Sequence, residues 1–412
     1  MSSVLHDIIS DAVHLDAILC MSVVPLYPEE TALKLKDGSD ACQIASMPRG
    51  LETSLRLIAS TLPKKSASGC PKRRLLAPLI FEISRTTAMT ILVTGAAGFI
   101  GAYTCRALAA RGESVVGLDN YNSYYDPQLK RDRVAALCPD IDIRTLDLTD
   151  RDGLAALFGE VQPTRVVHLA AQAGVRYSLE NPTVYVDSNL VGFVNMLELC
   201  RHRGVQHLVY ASSSSVYGDS ATPPFSEDQR VDQPRSLYAA TKAANELMGH
   251  TYAQLYGLCA TGLRFFTVYG PWGRPDMAPL IFSRAVLAGR PIEVFNHGKM
   301  QRDFTFVDDI VAGVLGALDT PSSEPVPHRM FNLGNHTPVE LEHFIDVIAQ
   351  AAGRPAEKAY LPMQPGDMIR TMADTQRAQA AFGFDPATPV ERGLPQVVAW
   401  CRNYFGNPRS TG

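Results

Sequence analysis

From residue 89 onward, two apolar patterns take turns along the chain. Short continuous apolar runs recur at 89–95, 114–118, 141–146, 164–169, 207–210 and 259–265, each ending on small or polar residues. A run that is apolar at every position reads as a strand buried on both faces, as in a parallel sheet. Other stretches carry apolar residues three and four apart, which predicts helices over 102–111, 181–202 and 236–256. Strand and helix in alternation predict an α/β fold. From about Asp276 the pattern loosens into a helix to Leu287, strands at 292–295 and 303–307, and helices near Asp308, Val339 and Arg392. These short mixed elements read as a smaller lobe interleaved with the last part of the sheet. Ligand is then expected over the strand ends, between the two parts.

Residues 1–88 follow neither pattern. Ile8, Ile9, Ala12, Leu15, Ile18 and Leu19 have amphipathic helical spacing, and 51–62 is a weaker helix candidate. Pro25, Pro28, Gly38, Pro48 and Gly50 interrupt the stretch between them, and 63–74 reads as a basic Pro/Gly-containing linker. The segment carries ten Lys/Arg against nine Asp/Glu and no recognisable chemistry. The division expected is 1–88 as an extension, 89–275 as the sheet domain and 276–412 as the lobe. Translation starting at Met89 is favoured over a helical appendage. On either reading 1–88 should pack poorly, away from the site, and the remaining 324 residues (412 − 88) should suffice.

Bulk properties narrow the function classes. A length of 412 residues allows two to three domains, and a formal charge of −4 favours neither nucleic acid nor an anionic membrane. Cys20, Cys42, Cys70, Cys105, Cys138, Cys200, Cys259 and Cys401 are scattered without a Cys-x-x-Cys pair, which fits reduced core thiols in the cytoplasm. Cys200 and His202 are too isolated to make a metal site, and none is expected. No apolar run reaches the roughly 18 residues of a membrane span.

The first strand supplies the first chemistry. It ends in Gly95-Ala-Ala-Gly98-Phe99-Ile100-Gly101, leading into a helix, and the second strand ends about twenty residues later at Asp119. Glycines at such a turn let the backbone approach a pyrophosphate, and an acid at the next strand end takes the adenosine ribose hydroxyls. The acid repels a 2′-phosphate, so NAD is favoured over NADP. Asn120 follows that acid. Asp147 and Leu148 lie where an adenine would sit, and Leu169, Ala170 and Ala171 end the fourth strand with little bulk. The expected architecture is a Rossmann-type doubly wound parallel sheet with a smaller C-terminal mixed substrate-binding lobe.

Two further stretches supply proton chemistry. Ser212 to Ser215 stand at the C-terminal end of the strand begun by His207. In the helix 236–256, Tyr238 and Lys242 are one turn apart on one face. A phenol with an ordinary pKa near 10 is a poor base, and a nearby ammonium favours its phenolate. With a serine sharing the proton, this is apparatus for deprotonating an alcohol while hydride leaves the same carbon.

Together these residues resemble the extended short-chain dehydrogenase/reductase family, and within it the nucleotide-sugar epimerases. The resemblance covers 89–412. Leu118-Asp-Asn-Tyr-Asn-Ser-Tyr-Tyr-Asp126, Ala171-Gln-Ala-Gly-Val-Arg-Tyr-Ser178 and Gly270-Pro-Trp-Gly-Arg-Pro-Asp-Met277 look most like UDP-glucuronate 4-epimerases. The resemblance implies a permanently bound NAD, Tyr238 as base, Ser213 beside the same oxygen, and Lys242 lowering the Tyr238 pKa and holding the nicotinamide ribose. It also implies a substrate set of Arg176, Asn189, Ser214, Ser215, Thr267, Arg274, Arg302 and Asp367, and a homodimer built on helices 181–202 and 236–256. Relatives with dehydratase or decarboxylase chemistry carry acids at the positions of Ser214 and Ser215, and this chain does not. A UDP-glucuronate substrate becomes a β-keto acid once C4 is oxidised, so its carboxylate must be held still. Ser214, Ser215, Thr267 and Arg274 are the candidates for that task. Alternatives are an epimerase of UDP-glucose or UDP-N-acetylglucosamine, or a non-catalytic NAD-binding regulator.

Overall fold

The computed structural model describes residues 89–364 and 368–406. The expectations for 1–88 and the assignment of Asp367 lie outside the described residues.

Six strands follow one another through the first part of the chain: β1 (Thr90–Thr94), β2 (Ser114–Asp119), β3 (Asp142–Thr145), β4 (Arg165–His168), β5 (His207–Ser213) and β6 (Ala260–Phe265). They lie side by side in the order β6-β5-β4-β1-β2-β3, and every neighbouring pair is parallel. In β1, Ile91 and Val93 join the core on one face while Leu92 joins the other, which is why the strand is apolar throughout. Burying each such side chain stabilises the fold by roughly 1.5–3 kcal/mol. Helices cover both faces: α1 (Phe99–Ala110) and α2 (Pro127–Leu137) follow β1 and β2, while α3 (Arg151–Val161), α4 (Gly192–His202) and α5 (Leu237–Tyr256) follow β3, β4 and β5. The strand order reverses between β1 and β4, and that opens a crevice at their C-terminal ends.

The predicted strands are present with most ends trimmed by one or two residues, while β2 runs on to Asp119 and β5 to Ser213. Two of the predicted helices depart from expectation. The first begins at Phe99 rather than Ala102, because Gly98 already stands as the extended N-cap and its carbonyl accepts from the Ala102 N–H at 3.0 Å. The helix predicted over 181–202 is broken into a turn at Thr183–Tyr185, a π-helical turn at Val186–Val191, and α4. Asn189 sits within the π turn, and its carbonyl accepts from Asn245 of α5 at 2.7 Å, a bond that a solvated helix would not make.

The rest of the chain builds the lobe and then returns to the sheet. β7 (Thr267–Tyr269), α6 (Ala278–Leu287), β8 (Ile292–Val294), β9 (Gln301–Arg302) and β10 (Phe304–Phe306) come first. α7 (Val307–Asp319) packs back on α1 and leads into β11 (His328–Leu333), which pairs parallel with β6 as the seventh strand of the sheet. β12 (Val339–Glu340), α8 (Leu341–Ala352), β13 (Lys358–Tyr360), α9 (Gln376–Phe382) and α10 (Val390–Gly406) complete the described chain. The rings of Phe304 and Phe344 stack 4.0 Å apart within the core shared by α6, α8 and α10. Among the described residues, no helix is long and apolar enough to cross a membrane.

Candidate active site

A cleft of about 1390 Å³ opens over the C-terminal ends of β1, β2, β4 and β5 and runs on to the lobe. Its floor is the turn between β1 and α1. Gly95 adopts φ +70°, which favours glycine, and a Cβ on Gly101 would lie 2.0 Å from the Gly95 carbonyl oxygen. The start of α1 therefore presses directly on the strand end. Asp126, Asp150 and Ser236 cap α2, α3 and α5, whereas the first turn of α1 has no capping side chain and faces the cleft. An uncapped helix N-terminus over a glycine turn fits a pyrophosphate.

At the end of β2, Asp119 accepts from the Ala97 N–H at 3.1 Å and the Tyr121 N–H at 2.8 Å. Asn120 donates to Asp147 at 2.7 Å, so two of the expected cofactor residues fix each other. Leu148, Leu169, Ala170 and Ala171 line the same side. These residues fit the adenosine half of a dinucleotide.

The proton-handling groups meet at the other end. Ser236 caps α5 by accepting from the Ala239 N–H at 3.1 Å, which sets Tyr238 in the first turn at the cleft wall. Lys242, one turn on and buried, donates to the Ala211 carbonyl of β5 at 2.8 Å. Ser213 ends β5, and its hydroxyl oxygen accepts from the Ser215 hydroxyl at 2.9 Å and from the Ser215 N–H at 3.2 Å. Burial pushes the Tyr238 phenol above its ordinary range, while its hydrogen bond with Ser213 and the Arg274 guanidinium act in the opposite sense. Burial lowers Lys242 to about 8, and the Glu246 carboxylate opposes that drop.

Arg274 is thus a cation that favours the Tyr238 phenolate in this structure. That guanidinium is held by Asp276, with Nη2 2.5 Å and Nε 3.1 Å from its carboxylate, and Asp276 also accepts from the Tyr124 hydroxyl at 2.9 Å. Behind the site, Glu246 binds Arg264 in two-pronged fashion at 2.7 and 2.9 Å and accepts from Ser212 at 2.5 Å. The serine strand and the Tyr/Lys helix are tied to β6 by this buried pair.

Ser213, Ser214, Ser215, Tyr238, Lys242, Thr267, Arg274, Arg302 and Arg176 all line the cleft, as do the cofactor candidates. Arg176 is exposed, with its guanidinium 5.2 Å from the Phe295 ring centre. Arg302 donates to the Ile369 carbonyl at 3.1 Å. Asn189 is the exception. Its amide is buried below the wall, donating to the Gln172 carbonyl and the Thr241 hydroxyl, each at 3.0 Å, and accepting from the Gln172 N–H at 2.8 Å. With both donors committed it holds the wall rather than a substrate.

Sequence reasoning passed over Lys130, Asp276, Arg284 and Arg290, which also line the cleft. Arg284 and Arg290 come from α6 and the loop after it, where no motif marks them. Asp276 lay inside a quoted stretch, and its pairing with an arginine two residues earlier was the available signal.

A sequence profile of the NAD dependent epimerase/dehydratase family matches residues 91–334. The chain is 48% identical over 340 residues to UDP-glucuronate 4-epimerase 1 of Arabidopsis thaliana, covering 79% of each. Among solved structures, it is similar to the UDP-glucuronic acid 4-epimerase of Bacillus cereus in complex with UDP-glucuronic acid and NAD, at TM-score 0.72 and 32% identity over 77% of this chain and 100% of that one. A UDP-glucose 4-epimerase of Thermus thermophilus in complex with NAD matches at TM-score 0.68 and 33% identity, covering 76% and 99%.

Proposed function

Since the chain belongs to the NAD dependent epimerase/dehydratase family, we propose that it is an NAD-dependent isomerase that interconverts UDP-glucuronate and UDP-galacturonate by inverting C4 of the sugar. The observation that carries this reading is the meeting of Tyr238, Ser213 and Lys242 with Arg274 at one end of a dinucleotide cleft. Bound NAD supplies the acceptor, and later the donor, of a hydride at C4. Tyr238 Oη takes the proton of the 4-hydroxyl, and Ser213 Oγ hydrogen-bonds the same oxygen. Lys242, which lines the same cleft, would hold the nicotinamide ribose. When the sugar has turned in the cleft, Tyr238 returns the proton to the 4-oxygen on the opposite face. No proton is gained or lost over the cycle.

The 4-keto sugar of a uronate is a β-keto acid, and it loses CO₂ if the C5–carboxylate bond aligns with the carbonyl π system. Hydroxyl donors at Ser214, Ser215 and Thr267, with Arg274 fixed by Asp276, suit a carboxylate held in one plane. Neither position 214 nor 215 is an acid, so no carboxyl is provided there for C5 or C6 chemistry. Arg302, Arg284 and Arg290 give the far end the charge a diphosphate needs. Proton NMR of the purified chain with UDP-glucuronate and no added cofactor tests the reading: UDP-galacturonate should appear without release of CO₂. Turnover of UDP-glucose but not UDP-glucuronate would assign a neutral sugar, and no turnover of either would leave an NAD-binding regulator.

The active form we propose is a homodimer in the cytoplasm. Leu247, Leu255 and Tyr256 of α5, and Val186 and Val191 of the π turn, are exposed apolar residues on the helices expected to pair across a two-fold. Cys105, Cys138, Cys200, Cys259 and Cys401 are free thiols, which suits a reducing compartment.

A further inference from the structure

Lys130 stands where a lysine is not favoured by the fold. It lies in the first helical turns of α2, where the helix dipole opposes a cation, and it is almost fully buried. Burying an ammonium is costly unless it is paired. Its Nζ lies 3.5 Å from Asp119 Oδ1, donates to Asn122 Oδ1 at 3.1 Å, and is 5.4 Å from the Tyr125 ring centre. Lys130 and Asp119 line the cleft together. The helix that carries Lys130 is also fixed against the glycine turn. Arg133, fully buried on α2, donates to the Ala97 carbonyl at 2.6 Å and the Trp272 carbonyl at 2.9 Å. Ala97 is the same residue whose N–H meets Asp119. The ammonium is therefore held beside the carboxylate that takes the adenosine ribose.

We infer that Lys130 is a second determinant of cofactor choice: its ammonium balances Asp119, and with the Asp119 charge removed it would receive the 2′-phosphate of NADP. The inference rests on the NAD reading above. With both residues present, the carboxylate repels a 2′-phosphate and engages the cation that would otherwise attract one. With Asp119 made neutral, a buried and preoriented ammonium remains beside the ribose, and a phosphate is the strongest partner it could meet. With Lys130 made neutral, the carboxylate is left unbalanced and NADP is rejected more strongly than before.

The test is an exchange measurement on the full-length holoprotein. Wild type, D119N, K130M and D119N/K130M are each incubated with an excess of NAD and NADP in equal amounts until the bound pool stops changing. Unbound nucleotide is removed, and the bound nucleotides are released with acid and quantified. Wild type should hold NAD. D119N should shift the bound ratio toward NADP by about tenfold or more, the scale of one charge-assisted hydrogen bond. The double variant should lose that gain, and K130M alone should shift the ratio several-fold toward NAD. A gain in D119N that survives K130M, or no gain in a folded D119N, overturns the inference. Should D119N fail to fold, K130M decides, and a ratio unchanged or moved toward NADP overturns it. Wild type that binds neither nucleotide would instead overturn the NAD reading.

Discussion

Tyr238 is held in two opposing environments: burial favours its neutral phenol, while Ser213 and Arg274 favour the phenolate. Replacing Tyr238 by Phe removes only the proton acceptor, so epimerisation should be lost by a factor on the order of 10³ or more while bound NAD, measured by absorbance after denaturation, stays at the wild-type level. Wild-type turnover in that variant would remove Tyr238 from the mechanism. Lys242 sets a limit on the alkaline side. Its charged form is the useful one, and burial lowers its pKa from 10.5 to about 8. The rate should therefore fall as pH rises through about 8, and a profile flat to pH 10 would count against its role. That Tyr238 and Lys242 would meet at the cleft was legible from their one-turn spacing, and that Ser213 would join them from its place at a strand end and the family resemblance. Asn189 was misplaced because sequence gives its position near the site but not the direction of its amide, and Lys130 was missed because a lysine early in a helix looks like solvated charge.

At the level of elements, the parallel strands were easy to read, since burial on both faces leaves no polar alternation to confuse. Of the seven strands of the main sheet, β11 was the one that escaped. His328, Arg329 and Asn332 interrupt its apolar pattern, and two of these polar groups have private partners: the His328 ring meets the Tyr210 hydroxyl at 2.8 Å, and Asn332 donates to the Phe225 carbonyl at 2.8 Å. The break in the 181–202 helix was equally hidden, because the same apolar spacing serves α- and π-helical turns. That π turn carries Asn189 to the Gln172 backbone and to Thr241 of α5, joining the wall of the dinucleotide cleft to the helix of Tyr238. Asn189→Ala would leave buried backbone groups unpaired, so stability to urea should drop by on the order of 2–4 kcal/mol. A drop within error would mean that water replaces the amide.

At the scale of the whole molecule, three histidines among the described residues are held in the neutral form, His168 and His207 buried and His328 half-buried. Burial lowers His168 to about 3 and both His207 and His328 to about 4, from 6.5. The native state then binds fewer protons than the unfolded chain between those values and 6.5. Their contribution is complete above pH 6.5 and is lost as the pH falls toward 4, at up to about 1.4 kcal/mol per pH unit for each. Urea melts between pH 7 and 4.5 should show this loss, and His328→Asn should make it shallower; an equal slope would assign the acid sensitivity elsewhere. The apolar side chains on α5 make a second prediction, since Leu247 is 71% exposed. Leu247→Glu should sediment as a monomer where wild type sediments as a dimer, and a monomeric wild type would refute the dimer. The return of the chain to the sheet at β11 has a consequence of its own. A fragment ending at residue 275 would keep the turn, the serines and the Tyr/Lys helix, yet it would uncover the hydrogen-bonding row of β6 that β11 covers. Strands laid bare in this way recruit one another. The last third of the chain thus acts as an intramolecular guard against self-assembly as well as a wall for substrate, and a protease cut in the loop before α6 should threaten solubility before it threatens chemistry.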